Sequence, residues 1–106
     1  MIRHCVFIRF KPETSKERIA ELFGEIDALK HHMDGVLAVH IGTNVSPEEG
    51  MDKGFSDGFI VDFDNANSRD IYLEDAEHQA VGAQLVEASV DGAEGILIYD
   101  LEIESH

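Results

Sequence analysis

An α+β fold, with helices on one face of a four-stranded antiparallel sheet, is predicted by three features of this chain. The first is alternation. From Ile2 to Phe10, the residues Ile2, His4, Val6, Ile8 and Phe10 fall on one side and Arg3, Cys5, Phe7 and Arg9 on the other, a strand with apolar residues on both faces. The second is repetition: Phe59, Val61 and Phe63 stand against Ile60, and Leu97, Tyr99 and Leu101 against Ile96 and Ile98. The third is scarcity, because only two helical segments are available to cover the sheet. One face then lies under helices, and the other, partly apolar, needs a second molecule. A homodimer is the expected assembly.

At 106 residues the chain is expected to be one domain spanning residues 1–106, with a single modest core. An apolar share of 43% beside 28% charged residues argues against wholesale disorder. No run approaches the roughly 18 consecutive apolar residues of a membrane span. The amino terminus lacks the length and cleavage site of a signal peptide. The lone Cys5 cannot close an internal disulfide and reads as a small packing residue, so a cytoplasmic location is expected. The net charge of −14 is lopsided: from Gly54 onward there are thirteen acids and one base, Arg69. Such a surface repels nucleic acid and anionic membranes, and neither is expected as a partner. It also disfavours a phosphate-rich substrate, unless Arg3, Arg9 and Lys11 form a local patch; the simpler reading is a solvated surface.

Along the chain, Lys11 and Pro12 break the first strand, and Thr14 stands three residues before Glu17, the spacing of a capping box. Ile19, Leu22, Phe23, Ile26 and Leu29 follow at helical spacing, predicting a helix from about Ser15 to His32 that Gly35 closes. A second strand is expected over Val36 to Ile41 and a loop over Val45 to Gly54. A third strand follows from Phe55 to Phe63, then a turn at Asp64 to Asn67. Helical sequence runs from about Ser68 to Val90, a last strand from Glu94 to Ile103, and Glu104 to His106 form a tail. The order β-α-β-β-α-β gives a ferredoxin-like layer. Its first and third strands are expected side by side in the centre and parallel, and its open face stacks on a twofold-related copy as a dimeric α+β barrel.

Read in this order, the chain resembles the stress-responsive dimeric α/β-barrel (Dabb) family over nearly its whole length. The resemblance rests on His4, Val6, Ile8, Phe10 and Lys11; on Gly42-Thr43-Asn44; and on Gly54-Phe55-Ser56-Asp57-Gly58-Phe59. It continues through Arg69-Asp70-Ile71-Tyr72-Leu73, His78 and the closing Ile96-Leu97-Ile98-Tyr99-Asp100-Leu101. The family includes heat- and stress-induced plant proteins and olivetolic acid cyclase, which closes a linear polyketide by an aldol step without metal or organic cofactor. The resemblance implies that Tyr72, His78 and His4 stand where the cyclase carries its chemistry. It departs at Asp57 and Asp75, where the cyclase has histidines, and its aromatic pocket lining is matched chiefly by Phe23.

The residues themselves suggest a site. If the apolar runs Val6-Ile8 and Phe59-Val61 face the helices, His4 and Asp57 become neighbours at a pocket's edge, where a carboxylate would orient the imidazole. Tyr72 and His78 are six apart, about 240° around an unbroken helix, so sharing a cavity requires a break near Glu74 to Glu77. His78 is then the expected base, with Asp75 holding it, and Tyr72 a hydroxyl for a carbonyl or enolate oxygen. Val6, Ile8, Phe23, Phe59 and Val61 are the expected pocket lining. His31, His32 and Asp34 do not form a metal pattern, since adjacent helical residues point about 100° apart. No Cys pair, phosphate loop or nucleophile elbow occurs, and neither metal nor organic cofactor is expected. Two readings stand: a hydrophobic small-molecule pocket for cofactor-independent acid–base chemistry on a carbonyl compound, or a non-catalytic stress-related dimer whose Tyr72 and His78 only pack.

Overall fold

A computed structural model describes residues 1–104; Ser105 and His106 of the expected tail lie outside the described residues. The chain runs β1 (Ile2–Ile8), α1 (Lys16–Ala28, extended by a 3-10 turn at Leu29–His32), β2 (Val36–Thr43) and β3 (Asp57–Phe63). It continues through α2 (Ala66–Glu74), α3 (Ala76–Ala88), a 3-10 turn at Gly92–Gly95 and β4 (Ile96–Glu102). The single second helix of the sequence reading is therefore two helices, and the order is β-α-β-β-α-α-β in a ferredoxin-like α+β fold.

Local chemistry accounts for the boundaries. The cap of α1 is Ser15, whose side chain accepts from the Arg18 backbone N–H at 3.0 Å. The expected cap, Thr14, instead turns its hydroxyl toward the Ala88 carbonyl at 3.5 Å. Either residue type can cap, and the helix starts one residue later than the box spacing suggested. Asn65 caps α2 by accepting from Ser68 N–H at 2.9 Å, which starts that helix two residues early. β1 stops at Ile8, and Phe10 is left in an isolated bridge to Ser89.

The sheet order is β2-β3-β1-β4, so β1 and β3 do lie in the centre. They pair antiparallel, Ile2 against Phe63 and Ile8 against Asp57, which corrects the parallel expectation. The physical reason is direction: α1 returns the chain so that β2 runs with β1, and the connection after Thr43 reverses it once more into β3.

Helix-facing parity is held by His4, Val6 and Ile8 on β1 and by Phe59, Val61 and Phe63 on β3. Leu22, Phe23 and Ile26 of α1, Tyr72 of α2 and Val81 and Leu85 of α3 pack on them, all buried. Each large apolar side chain removed from water in this way contributes roughly 1.5–3 kcal/mol.

The opposite face reads as three rows across the sheet: Leu97–Phe7–Gly58–Gly42, Tyr99–Cys5–Ile60–His40 and Leu101–Arg3–Asp62–Ala38. Leu97, Tyr99 and Leu101 are 43%, 44% and 47% exposed, as expected of a sheet face without helices. Gly58 lets the Phe7 ring lie flat across β3, since a Cβ there would fall 2.6 Å from that ring and 2.7 Å from the Val6 carbonyl. The last row is ionic. Arg3 grips both oxygens of Asp62 at 2.9 and 3.1 Å, and His40 Nε2 stands 3.2 Å away. The Arg3 guanidinium holds the Asp62 carboxyl below the usual carboxylate range, against the opposing effect of burial.

Candidate functional site

The expected break between Tyr72 and His78 falls at Asp75, and it decides the site. Asp75 ends α2 and caps α3: its side chain accepts from the His78 backbone N–H at 2.9 Å. The carboxylate thus holds His78's backbone, not its imidazole, and this corrects the expected ring contact. Turning the chain at Asp75 stacks the two side chains, with the ring centroids of Tyr72 and His78 4.1 Å apart and tilted 43°. Tyr72 is 1% exposed and meets Phe63 and His4 edge-on, at 5.0 and 5.9 Å.

His4 is the third member, 3% exposed on β1. Its expected partner, Asp57, sits at the far end of the sheet opposite Ile8, because β1 and β3 run antiparallel; His4 faces Val61 instead. Asp57 lines a separate hollow of about 530 Å³ beside Phe7 and Leu97. The carboxylate that meets His4 comes from β4: Asp100 Oδ1 lies 2.6 Å from His4 Nδ1, and Asp100 Oδ2 accepts from Arg69 Nη1 at 2.7 Å. Sequence reasoning missed this pair. The signal was present, since Asp100 shares the parity of Ile96 and Ile98 and lies directly opposite His4.

A cleft of about 620 Å³ opens between α3 and the β1–β4 edge, lined by His4, Val6, Phe59, His78, Gly82 and Asp100 among others. Val6 and Phe59 of the expected lining are there. Ile8, Phe23 and Val61 are not; they belong to the core between α1 and the sheet, with Phe23, itself on α1, against the Phe59 ring at 5.6 Å. In their place the apolar walls are Leu85, Val86, Ile96 and Ile98. Tyr72 does not line the cleft and stands behind His78. Nothing occupies the 4 Å around the Cβ position of Gly82, so this helical glycine leaves the cleft its width.

The titrations follow from burial. Burial pushes the Tyr72 hydroxyl well above its ordinary value, helped by the nearby Asp75 charge, so it is a neutral donor near pH 7. Burial also lowers His78, a protonated His4 would act the same way, and Asp75 opposes. Burial pushes Asp100 up, but hydrogen bonds from Arg69 and His4 outweigh it and hold the carboxyl below its ordinary value. An ionised Asp100 only accepts, so His4 Nδ1 carries a proton. Two polar atoms in the stack have no partner: Tyr72 Oη and His78 Nδ1 are both buried and unbonded.

The lowered His78 gives a pH dependence with a definite sign. The unfolded chain takes up a proton at this histidine near pH 6.5, whereas the folded chain resists until lower pH. Stability therefore falls as pH drops below about 6.5. Urea midpoints taken between pH 8 and 5 should show a shallower slope in His78→Phe than in the parent; equal slopes would contradict the burial effect.

His32 Nε2 stands 3.5 Å from Asp75 and His32 Nδ1 3.7 Å from Glu77, a mostly exposed trio. His31 and Asp34, the sequence neighbours of His32, take no part in it.

Residues 2–103 match the family model for the stress responsive A/B barrel domain (Dabb), and the chain belongs to that family. A dimeric ferredoxin-like protein of unknown function from Jannaschia sp. CCS1 superposes with a TM-score of 0.89 at 29% identity, covering 96% of this chain and 98% of that one. A protein of Arabidopsis thaliana gives 0.86 at 22% identity over 100% and 98%. The hydroxynitrile lyase of Passiflora edulis gives 0.83 at 19% identity over 99% and 94%. At such identities the last two share the fold alone. No curated protein sequence matches this chain. No helix among the described residues is long and apolar enough to cross a membrane.

Proposed function

We propose that this protein is a cofactor-independent enzyme that binds a hydrophobic carbonyl compound in the cleft beside His78 and transfers a proton next to the carbonyl. The observation that carries the reading is the pair of buried, unpartnered atoms, Tyr72 Oη and His78 Nδ1. Leaving such atoms unbonded costs each about 1–3 kcal/mol, a cost that a ligand's oxygen and acidic proton would remove. In this reading His78, kept neutral by burial, takes a proton from the carbon beside the carbonyl. With the His78 ring swung toward the substrate, the Tyr72 hydroxyl behind it donates to the oxygen where negative charge develops, and His4, braced by Asp100, completes the polar end. The proton then passes from His78 to the alkoxide formed when the enolate adds to a second carbonyl, or to a different atom of the enolate, which covers aldol closure and isomerisation. The fold is shared with a protein named as a hydroxynitrile lyase, so this architecture can house an enzyme's active site, and the dimeric neighbours support action as a homodimer closed over the open sheet face.

One observation favours the non-catalytic alternative: Tyr72 lies behind His78 and does not reach the cleft wall. Exchange of the methyl hydrogens of an aryl methyl ketone in D2O, followed by NMR, separates the two. The enzyme reading expects exchange above the buffer rate, reduced about 10²–10⁴-fold in His78→Ala. Gly82→Leu, which puts a side chain into the open space on α3, is expected to fold and to block it. Exchange equal to buffer, or unchanged in both variants, would end the proposal.

A further inference from the structure

Arg69 is the one base in the acidic second half of the chain, and no step above uses it. It sits on α2 three residues before Tyr72, so the two side chains leave the same side of that helix. Tyr72 packs against the His4 ring, while Arg69 reaches over β4. Its Nη1 donates to Asp100 Oδ2 at 2.7 Å and its Nε to Asp70 Oδ1 at 2.9 Å. Arg69 does not line the cleft, and its donors are turned onto carboxylates of this chain. That geometry suits a brace better than a ligand contact.

The carboxylate of Asp100 divides its two oxygens, Oδ2 to Arg69 and Oδ1 to His4 Nδ1 at 2.6 Å. Its side chain is 23% exposed, enough for water to compete and for the carboxylate to turn. A second anchor prevents the turn. We propose that Arg69 is a positioning residue: by fixing Asp100 it pins the proton of neutral His4 on Nδ1 and leaves Nε2 as the accepting nitrogen. Asp70, holding Arg69 Nε, sets the guanidinium plane from which this order is imposed. The role of that order in turnover rests on the acid–base reading of the site, but the order itself is a property of the free protein.

The test therefore needs no substrate. In protein labelled with ¹⁵N at histidine, the long-range ¹H–¹⁵N pattern of His4, recorded with the ring neutral, reports which nitrogen carries the proton. The parent is expected to show the Nδ1–H form. Arg69→Met is expected to lose it, giving averaged nitrogen shifts, while Arg69→Lys, which keeps the charge with one donor, recovers part of it. Arg69 is at the surface edge, 24% exposed, so the variants should fold; if Arg69→Met does not, Arg69→Gln is read the same way. A His4 pattern unchanged when Arg69 is removed, or a parent protonated on Nε2, would overturn the inference. Failure of ketone exchange with the pattern as expected would instead count against the enzyme reading alone.

Discussion

Tyr72→Phe is expected to make this protein more stable and less active at once. The ring is among the most buried in the molecule, packed edge-on to Phe63 and His4 and tilted against His78. Phenylalanine keeps all of that contact. It removes only the hydroxyl, which is buried without a partner. The desolvation cost of such a group is about 1–3 kcal/mol, so a gain of about 1 kcal/mol is expected, or a Tm about 4 °C higher for a chain of this size. The same oxygen is the donor assigned to the developing charge, and loss of one such donor costs about 10²–10³ in rate. Opposite signs in stability and turnover mark a group retained for chemistry at the expense of packing. Thermal melts and ketone exchange on the two proteins measure both arms. A variant that melts lower would mean the hydroxyl is bonded in the free protein, and the argument from unpartnered atoms would fail.

Much of this architecture is written in parity. Strands with period-two alternation, a helix with Leu22, Phe23 and Ile26 on one side, and the break demanded by Tyr72 and His78 could all be read from residues. What failed was direction and depth. The His4–Asp57 pair depended on two strands starting at the same end, and an antiparallel register puts the acid four strand positions from the wanted one, opposite Ile8. Asp100 reads locally as an exposed acid between Tyr99 and Leu101; only its pairing across β1 reveals His4 as its neighbour. Asp75 lies three residues before His78, a spacing shared by an imidazole partner and a helix cap, and the cap won because the chain restarts there. Phe23 on α1 and Val61 on β3 both fall on the inward faces of their elements, but periodicity cannot say whether helix and sheet close on each other there or leave a cavity.

The open sheet face leads to the second large effect. Leu97→Glu is expected to convert a dimer into monomers. Leu97 stands at the end of the row through Phe7, Gly58 and Gly42, and Tyr99, tilted against Phe7 at 6.0 Å, and Leu101 extend the same apolar strip along β4. A stable interface takes about 800 Å² from each partner, a modest fraction of the 6603 Å² surface of the chain. A twofold contact on this face would bury the new carboxylate in both copies. An unpaired buried charge costs several kcal/mol, and symmetry applies that cost twice, so a rise of at least 10³-fold in the dissociation constant is expected. The Arg3–Asp62 pair offers little relief, because it lies two rows from Leu97 and Arg3 already commits its Nε and Nη2 to Asp62. Sedimentation equilibrium should find the parent dimeric at micromolar concentration and the variant monomeric, with a Tm that no longer rises with protein concentration. A monomeric parent would refute the dimer, and a variant that stays dimeric would place the interface elsewhere; either leaves the apolar strip on β4 without a partner.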